Sequence, residues 1–358
     1  MKSINLFGTS VTDAGLRNLH NIRGLEYINL FQSGVTTDGA EQLKERFPNV
    51  RILHRESARI SPVKYLLSNS LKPVPKAVIS TMGGKMDVAL GILTDHFAFC
   101  QTMPLNEFVS VSEELQSNGY RPIRCRPFAT SEDVHVAAIW IRDGLQWEML
   151  VGKSADEIKK KDGELQKLGL RPIDVAGYVS EGEKYCALWA QRRAKGTSWE
   201  ILVGNQNQEY LANWKRLSPK SNLTTYQQVF PDYERRVTQV WFTSGPPEWW
   251  VTFWGNGGTE YEKRIPHRKL QIDINVTRCP VDGGYLPRYS GVWMNYPAIQ
   301  SVESHGLPPI KHLEWCRIQA SNGYTPVAIS VAGIRKEEPL VTASVWHRLL
   351  KSADARKP

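Results

Sequence analysis

A covalent hydrolase would have to be built on one place in this 358-residue chain. Ser61-Pro62-Val63-Lys64 has the Ser-x-x-Lys spacing in which a lysine amine activates a serine hydroxyl. The Ser-Asp-Asn and Lys-Thr-Gly partners of that chemistry do not occur in the sequence. A serine followed by proline is also a helix start, with the serine as cap and the proline at the first helical position. Ser61 is therefore expected to cap a helix, and no catalytic residue is expected. Gly255-Asn256-Gly257-Gly258 has neither the P-loop Lys-Ser/Thr nor the spacing of a dinucleotide fingerprint, and is expected to be a loop. The eight histidines are dispersed, with His305 and His312 flanking Pro308-Pro309. None has ligand spacing, so no metal or other cofactor is expected. The five cysteines are odd in number and form no Cys-x-x-Cys pair, which points to buried free thiols.

Binding chemistry has better candidates. Trp241 to Trp254 holds Trp241, Phe242, Trp249, Trp250, Phe253 and Trp254 around Pro246-Pro247. Adjacent Trp249 and Trp250 in a strand point to opposite faces, so one is free to meet a partner. Arg235 and Arg236 stand just upstream. Trp249, Trp250, Trp254, Arg235 and Arg236 are thus a candidate site for an extended peptide or a sugar. The net charge of +9 is spread thinly, +1 over residues 1–56 and +8 over the rest. Its densest runs, such as Lys159-Lys160-Lys161, read as solvated faces, so nucleic acid is not an expected partner. No apolar run reaches the length of a membrane span, and the N-terminus lacks a signal-peptide core. A cytoplasmic location is the resulting expectation.

Two repeat systems must position these groups. In residues 1–56, Ile4-Asn5-Leu6 recurs 24 residues on as Ile28-Asn29-Leu30, and Ile52-Leu53 follows. Val11-Thr12-Asp13-Ala14-Gly15 is echoed by Val35-Thr36-Thr37-Asp38-Gly39. Each unit reads as a strand with Ile4/Leu6 or Ile28/Leu30 inward, then a helix capped at Asp13 or Asp38 and stopped by Pro48. The outward strand positions Asn5, Phe7, Tyr27, Asn29 and Phe31 would line a concave face; Tyr27, Asn29 and Phe31 are a second candidate binding set. Two units and a third strand are too few to stand alone, so the array is expected to continue before Met1.

The second system occupies residues 57–350. Trp140, Trp189, Trp241, Trp293 and Trp346 are spaced by 49, 52, 52 and 53 residues. Each follows an aliphatic residue, and Ala138, Ala187, Gly291 and Ser344 stand two positions before four of them, with Gln239 the exception. Gly119-Tyr120-Arg121-Pro122, Gly169-Leu170-Arg171-Pro172 and Gly323-Tyr324-Thr325-Pro326 precede three of them. A degenerate copy is read at Ser70-Leu71-Lys72-Pro73 and Ala89-Leu90-Gly91. The period predicts about six units, near 61–104, 105–153, 154–205, 206–256, 257–309 and 310–350, each a helix followed by three strands. Ser110 with Glu113, and Ser154 with Glu157, have capping-box spacing, and Asp143-Gly144 signals a hairpin. Gly119, Gly169 and Gly323 fit the left-handed position that ends a helix. The Trp strand is apolar on both faces, so it must be central and covered on both sides. The five tryptophans are structural anchors, and residues 351–358 read as a disordered tail.

The Val-Thr-Asp-Ala-Gly-Leu segment with Phe47-Pro48-Asn49 resembles the closing repeats of planctomycete-type bacterial leucine-rich arrays. The Gly-x-x-Pro and Ala-x-x-Trp anchors, with Trp147 and Trp199, resemble the bacterial tandem repeats also found in the N-terminal half of polyglycine hydrolases. That resemblance implies a non-catalytic accessory domain, with the chemistry of those hydrolases in a separate serine-hydrolase domain. The expected fold is an α+β repeat protein, a leucine-rich stub plus a curved or ring-like array. The expected function is a non-enzymatic recognition or scaffold module for protein or peptide, in a larger signalling or enzyme chain. A carbohydrate-binding module or an accessory domain of a serine hydrolase is the alternative.

Overall fold

A computed structural model describes residues 3–6, 9, 11–19, 24–30, 33–53, 73–130, 133–191, 198–230, 234–243, 251–256, 261–262, 270–282, 284–294, 299–333 and 340–349. The chain divides into two compact units, Met1–Ser61 and Pro62–Pro358.

In the first unit, β1 (Ser3–Asn5), β2 (Tyr27–Asn29) and β3 (Arg51–Leu53) form a parallel sheet in that order. Ser3, Tyr27 and Arg51 lie in register, so the 24-residue period is the step from strand to strand. Helix α1 (Asp13–Leu16), prolonged by a 3-10 turn, and α2 (Thr37–Arg46) supply Leu16, Ala40 and Leu43 to a core around Ile28 and Leu30. The helix caps come one residue before Asp13 and two before Asp38. Thr12 and Thr36 hold the cap positions, and the Thr36 hydroxyl accepts from the Gly39 amide at 3.1 Å. Asp13 instead ties the two repeats together. Its carboxylate accepts from both the amide and the hydroxyl of Thr36, each at 2.7 Å.

The second unit contains five antiparallel sheets. Helix α3 (Lys76–Val88) and the short β4 (Ile92–Leu93) precede the first. That sheet continues with β5 (Phe97–Pro104), α4 (Leu105–Gln116), β6 (Tyr120–Ala129) and β7 (Val134–Arg142), in the order β4-β5-β7-β6. The second comprises β8 (Trp147–Lys153), α5 (Ala155–Lys167), β9 (Leu170–Val179) and β10 (Glu183–Gln191). The third comprises β11 (Ser198–Asn205), α6 (Asn207–Leu217), β12 (Asn222–Val229) and β13 (Arg236–Thr243). The fourth has β14 (Val251–Asn256), β15 (Leu270–Val281) and β16 (Gly284–Met294). The fifth has β17 (Ile299–Leu307), α7 (Pro309–Ser321), β18 (Thr325–Ala332) and β19 (Val341–Leu349). In every one the last strand, which carries the tryptophan, lies between the module's other two, with β4 an extra edge strand in the first sheet.

The repeat is therefore phased differently from the helix-first reading, and the described residues form five modules, the first with β4 as an extra edge strand, where about six units were expected. The strand after each of the first four Trp strands pairs into the next sheet, so four of the modules run strand, helix, strand, strand among the described residues. Asp143-Gly144 is accordingly a crossover between sheets and not a hairpin. Asp143 is buried against Arg121, which donates from Nη2 at 2.8 Å, and accepts the Leu145 amide at 3.1 Å; the Gly144 amide reaches the Gly119 carbonyl at 3.0 Å. The copy read at Ser70–Gly91 does not follow the pattern. Residues 73–75 lead into α3, and Gly91 is jammed against β5, where an added Cβ would lie 2.1 Å from the Phe99 carbonyl. Ser110 lies inside α4 and bonds back to the Glu107 carbonyl, whereas Ser154 and Glu157 do form a capping box. Gly119, Gly169 and Gly323 all take positive φ, at +84°, +77° and +79°.

Strands β6, β9, β12, β15 and β18 pack side by side, and β18 packs against β6, so the array closes into a ring. Five apolar cores alternate with the five sheets. Val136, Ala138 and Trp140 of β7 enter one core with α4 and the second sheet, while Ala137 and Ile139 enter another with Trp346 and α7. That alternation explains why the Trp strand is apolar on both faces. All five anchor tryptophans are buried. The small residue two positions earlier leaves room for the indole: a Cβ on Gly291 would stand 2.5 Å from the Trp293 ring. Gln239, the exception, instead accepts the Trp241 indole N–H at 3.3 Å.

Closure is fastened by a polar seam. The Gln101 amide on β5 donates to the Leu90 and Pro309 carbonyls, which leaves its oxygen to accept from His312 Nδ1 of α7 at 2.7 Å. His312 Nε2 then accepts from the Ser344 hydroxyl at 2.7 Å, and Ser344 accepts the Trp346 indole N–H at 3.0 Å. Desolvation by burial lowers the His312 pKa to about 3, so the ring holds it neutral.

Gly291→Val should overpack the fourth sheet and cost about 1–3 kcal/mol, read as a lowered urea midpoint. The seam makes a pH prediction. The unfolded chain takes up a proton at His312 near the ordinary value of 6.5, whereas the folded ring does so only near 3. The stabilisation is complete above pH 6.5 and is lost progressively as pH falls from there toward 3. Urea midpoints between pH 7 and 4 should therefore fall more steeply for the wild type than for His312→Gln.

Candidate functional site

The inner strand of each sheet has one edge with no strand partner, and that edge faces the centre of the ring. Unpaired edge amides need acceptors. Each inner strand opposes the Trp strand with a bulge, after Pro122, Pro172, Leu223, Gln271 and Pro326 respectively. Proline lacks the N–H that a ladder would use, so three of these edges begin at a residue suited to them. Beyond the bulge the side chains of one strand cap the edge of the one before it. Asp174 of β9 accepts the Cys125 amide of β6 at 2.9 Å. Gln227 of β12 accepts the Gly177 amide of β9 at 2.6 Å and donates to the Gly177 carbonyl at 3.2 Å. Asp273 of β15 accepts the Tyr226 amide at 2.8 Å, and Ser330 of β18 accepts the Val276 amide at 3.1 Å.

The two aspartates are neutralised by the first inner strand. Arg126 Nη2 stands 2.8 Å from Asp174 and 3.1 Å from Asp273, and Arg124 Nε stands 3.7 Å from Asp273. Arg126, Asp174 and Asp273 are almost wholly buried. Burial raises the Asp174 carboxyl above the ordinary carboxylate, with Arg126 and Arg124 pulling the other way. Arg126 loses solvent but is held protonated by Asp174 and Asp273. Buried charges of both signs in equal number are the condition under which such a cluster is tolerable.

At one end of this bundle the five inner strands leave a cavity of about 260 Å³ on the axis. Its wall is formed by residues 127–129, 177–179, 227–230, 276–278 and 330–333, with Tyr285 beside them. Phe128, Tyr178 and Phe230 make it partly aromatic, and Gln227, Gln228 and Thr277 add polar groups. Arg278 is exposed beside it and stacks on the Tyr285 ring at 3.5 Å.

The sequence-derived sites lie elsewhere. Trp249, Trp250, Phe31, Ser61 and Lys64 fall outside the described residues, as does the 351–358 tail. Trp254 and Asn29 are described by backbone alone, in β14 and β2. Tyr27 is half-buried in β2. Gly255 and Asn256, expected in a loop, belong to β14. Arg235 lies over the Tyr210 ring at 5.2 Å, and Arg236 pairs with Glu183 at 3.1 Å and Glu234 at 2.9 Å. Both guanidiniums are thus engaged within the ring. Among the described residues no group of acidic, His and Cys side chains is arranged to hold a metal ion. All five cysteines are free, four of them buried, and no described helix is long and apolar enough to cross a membrane.

Sequence reading missed Arg124, Arg126, Asp174, Gln227, Gln228 and Asp273. One signal was present: Arg124 and Asp174 each stand two residues after the repeat proline, charges of opposite sign at equivalent positions of two repeats.

The fold and the axial site define a tandem-repeat ring rather than an ordinary two-layer domain. Residues 97–143 and 144–192 match the family model described as a polyglycine hydrolase-like structural repeat. Those spans coincide with the first two modules, strand first, as the sheets divide them. No curated protein matches the chain.

Asp273→Asn leaves Arg126 and Arg124 with one carboxylate between them. It should cost about 3–5 kcal/mol in urea unfolding. Gln227→Leu, which orphans the Gly177 amide, should cost about 1–3 kcal/mol.

Proposed function

We propose that the chain is a non-enzymatic recognition module that binds protein or peptide, with the ring supplying the binding surface. The first unit, on this reading, is a leucine-rich repeat segment whose strand positions Tyr27, Asn29 and Phe31 form a second binding set. The observation that carries the proposal is the axial cavity, to which all five modules contribute equivalent segments. A repeat protein gains such a concave surface from its symmetry, and recognition is the usual use of one.

One constellation of described residues with catalytic spacing supports the same reading. Ser344, His312 and Gln101 sit in hydrogen-bond sequence as nucleophile, base and orienting group would. All three are fully buried at the seam and none lines the axial cavity, which supports a structural role. Their geometry serves closure. The match of the first two modules to repeats named after polyglycine hydrolases fits an accessory part of a larger chain, such as a scaffold or the companion of a hydrolase domain.

The test blocks the mouth of the cavity. Ala129 and Val179 line it and are exposed, so Ala129→Trp with Val179→Trp should fill the entrance while leaving the cores untouched. Proteins retained from a native lysate by the wild-type chain should be lost by the double variant. An unchanged set would place recognition elsewhere on the molecule. Neutral oligosaccharides in a parallel titration address the carbohydrate-binding alternative.

A further inference from the structure

Gln228 is the residue of the axial cavity that the ring itself does not use. It is 1% exposed and lines the cavity, yet neither its carbonyl oxygen nor its amide nitrogen has a hydrogen-bond partner among the described residues. A buried primary amide left unpaired on both sides is costly, and native structures contain few. The neighbouring residue shows what this group does here when it finds a partner. Gln227 accepts from the Gly177 amide and donates to the Gly177 carbonyl, reading both backbone groups of one extended residue.

We infer that Gln228 reads the backbone of an extended polypeptide segment inserted into the axial cavity, pairing with the N–H and C=O of a single residue. The inference rests on the recognition reading above and names its ligand. Gln227 already occupies the free edge of β9, and Asp174, Asp273 and Ser330 cap those of β6, β12 and β15, so Gln228 is left for a chain from outside. Phe128, Tyr178 and Phe230 offer apolar contact to the flanking side chain. A volume of about 260 Å³ admits the tip or terminus of a segment and excludes a folded domain. A saccharide would meet Gln228 with hydroxyls, as the Tyr261 hydroxyl meets Gln271 at 2.6 Å, but would lack the adjacent N–H and C=O that Gln227 holds at Gly177. A peptide backbone is what Gln227 demonstrably holds.

The experiment uses the full chain against a displayed library of random linear peptides, with selected sequences then synthesised and titrated calorimetrically. Gln228→Leu should weaken them by about tenfold or more, the loss of two hydrogen bonds. Its melting temperature should hold or rise, because the substitution removes an unpaired buried amide. A scan of backbone N-methylation along one selected peptide should find a single position whose methylation weakens wild-type binding and leaves Gln228→Leu unaffected. That scan on the wild type also tests the inference should Gln228→Leu fail to fold. Peptides that bind wild type and Gln228→Leu equally, with no sensitive position, overturn the inference and leave the recognition proposal standing. Neutral oligosaccharides binding in a Gln228-dependent way, with no peptide selected, overturn it in favour of a sugar site. Recovery of no ligand of either class sinks both proposals.

Discussion

Five sheets arranged around an axis present five unpaired strand edges to one another, and everything at the centre of this ring follows from satisfying them. A sheet edge buried without partners would leave a row of amides and carbonyls without hydrogen bonds. Here the partners are side chains from the next module: Asp174, Gln227, Asp273 and Ser330 each cap an amide of the strand before. Aspartate is a strong acceptor but brings charge into a region without water. Arg124 and Arg126 supply the matching charge, and each also donates to a carbonyl, Arg126 to Val175 at 3.2 Å and Arg124 to Ile272 at 3.3 Å. The modules have thus diverged at the axis while remaining alike in their cores.

The cores are simpler. The anchor indole of each module is buried, in four of the five over a small neighbour, and several of their N–H groups find acceptors. Ser112 serves Trp140 at 3.0 Å and Asp162 serves Trp189 at 2.8 Å. Gln239 and Ser344 do the same from within the Trp strand itself. Because each sheet shares a core with the sheet on either side, no module can be lifted out without exposing two apolar faces. A ring has no end that needs a cap, unlike an open array. The cost is a seam between first and last modules, and there the packing includes the buried Gln101–His312–Ser344 chain. This same chain has the outline of a catalytic triad, and only its burial separates the two meanings.

The axial cavity is the place where the edge-capping rule leaves something over. Four of the inner strands have an edge group bonded by the next module, and Gln228 adds an amide beyond that need. A repeat ring can tolerate such a surplus group if a ligand completes it, because its rigid frame is paid for by the five cores. The charged quartet a few residues deeper in the strands fixes the frame against which a ligand would dock.

How much of this was legible in the residues depends on range. The period of about 50, the Trp anchors, the glycines at positive φ and the two-faced apolar Trp strand are local patterns, and each follows from packing or backbone sterics that neighbours in sequence dictate. So does the 24-residue step of the first unit. What the sequence could not show was which strand joins which sheet. The strand after Asp143-Gly144 sits next to β7 in the chain and pairs with β10 in space, since hydrogen-bond partnership depends on the crossover and not on proximity along the chain. That choice turned six helix-first units into five closed modules, made Pro122 and Pro172 edge residues, and gathered Arg124, Arg126, Asp174 and Asp273 from positions as much as 149 apart into one cluster. The sequence by itself determined the repeating element and its buried face; only the tertiary structure decided closure, and with it the axial site, because a site made of one residue from each of several repeats exists only once the ring has closed.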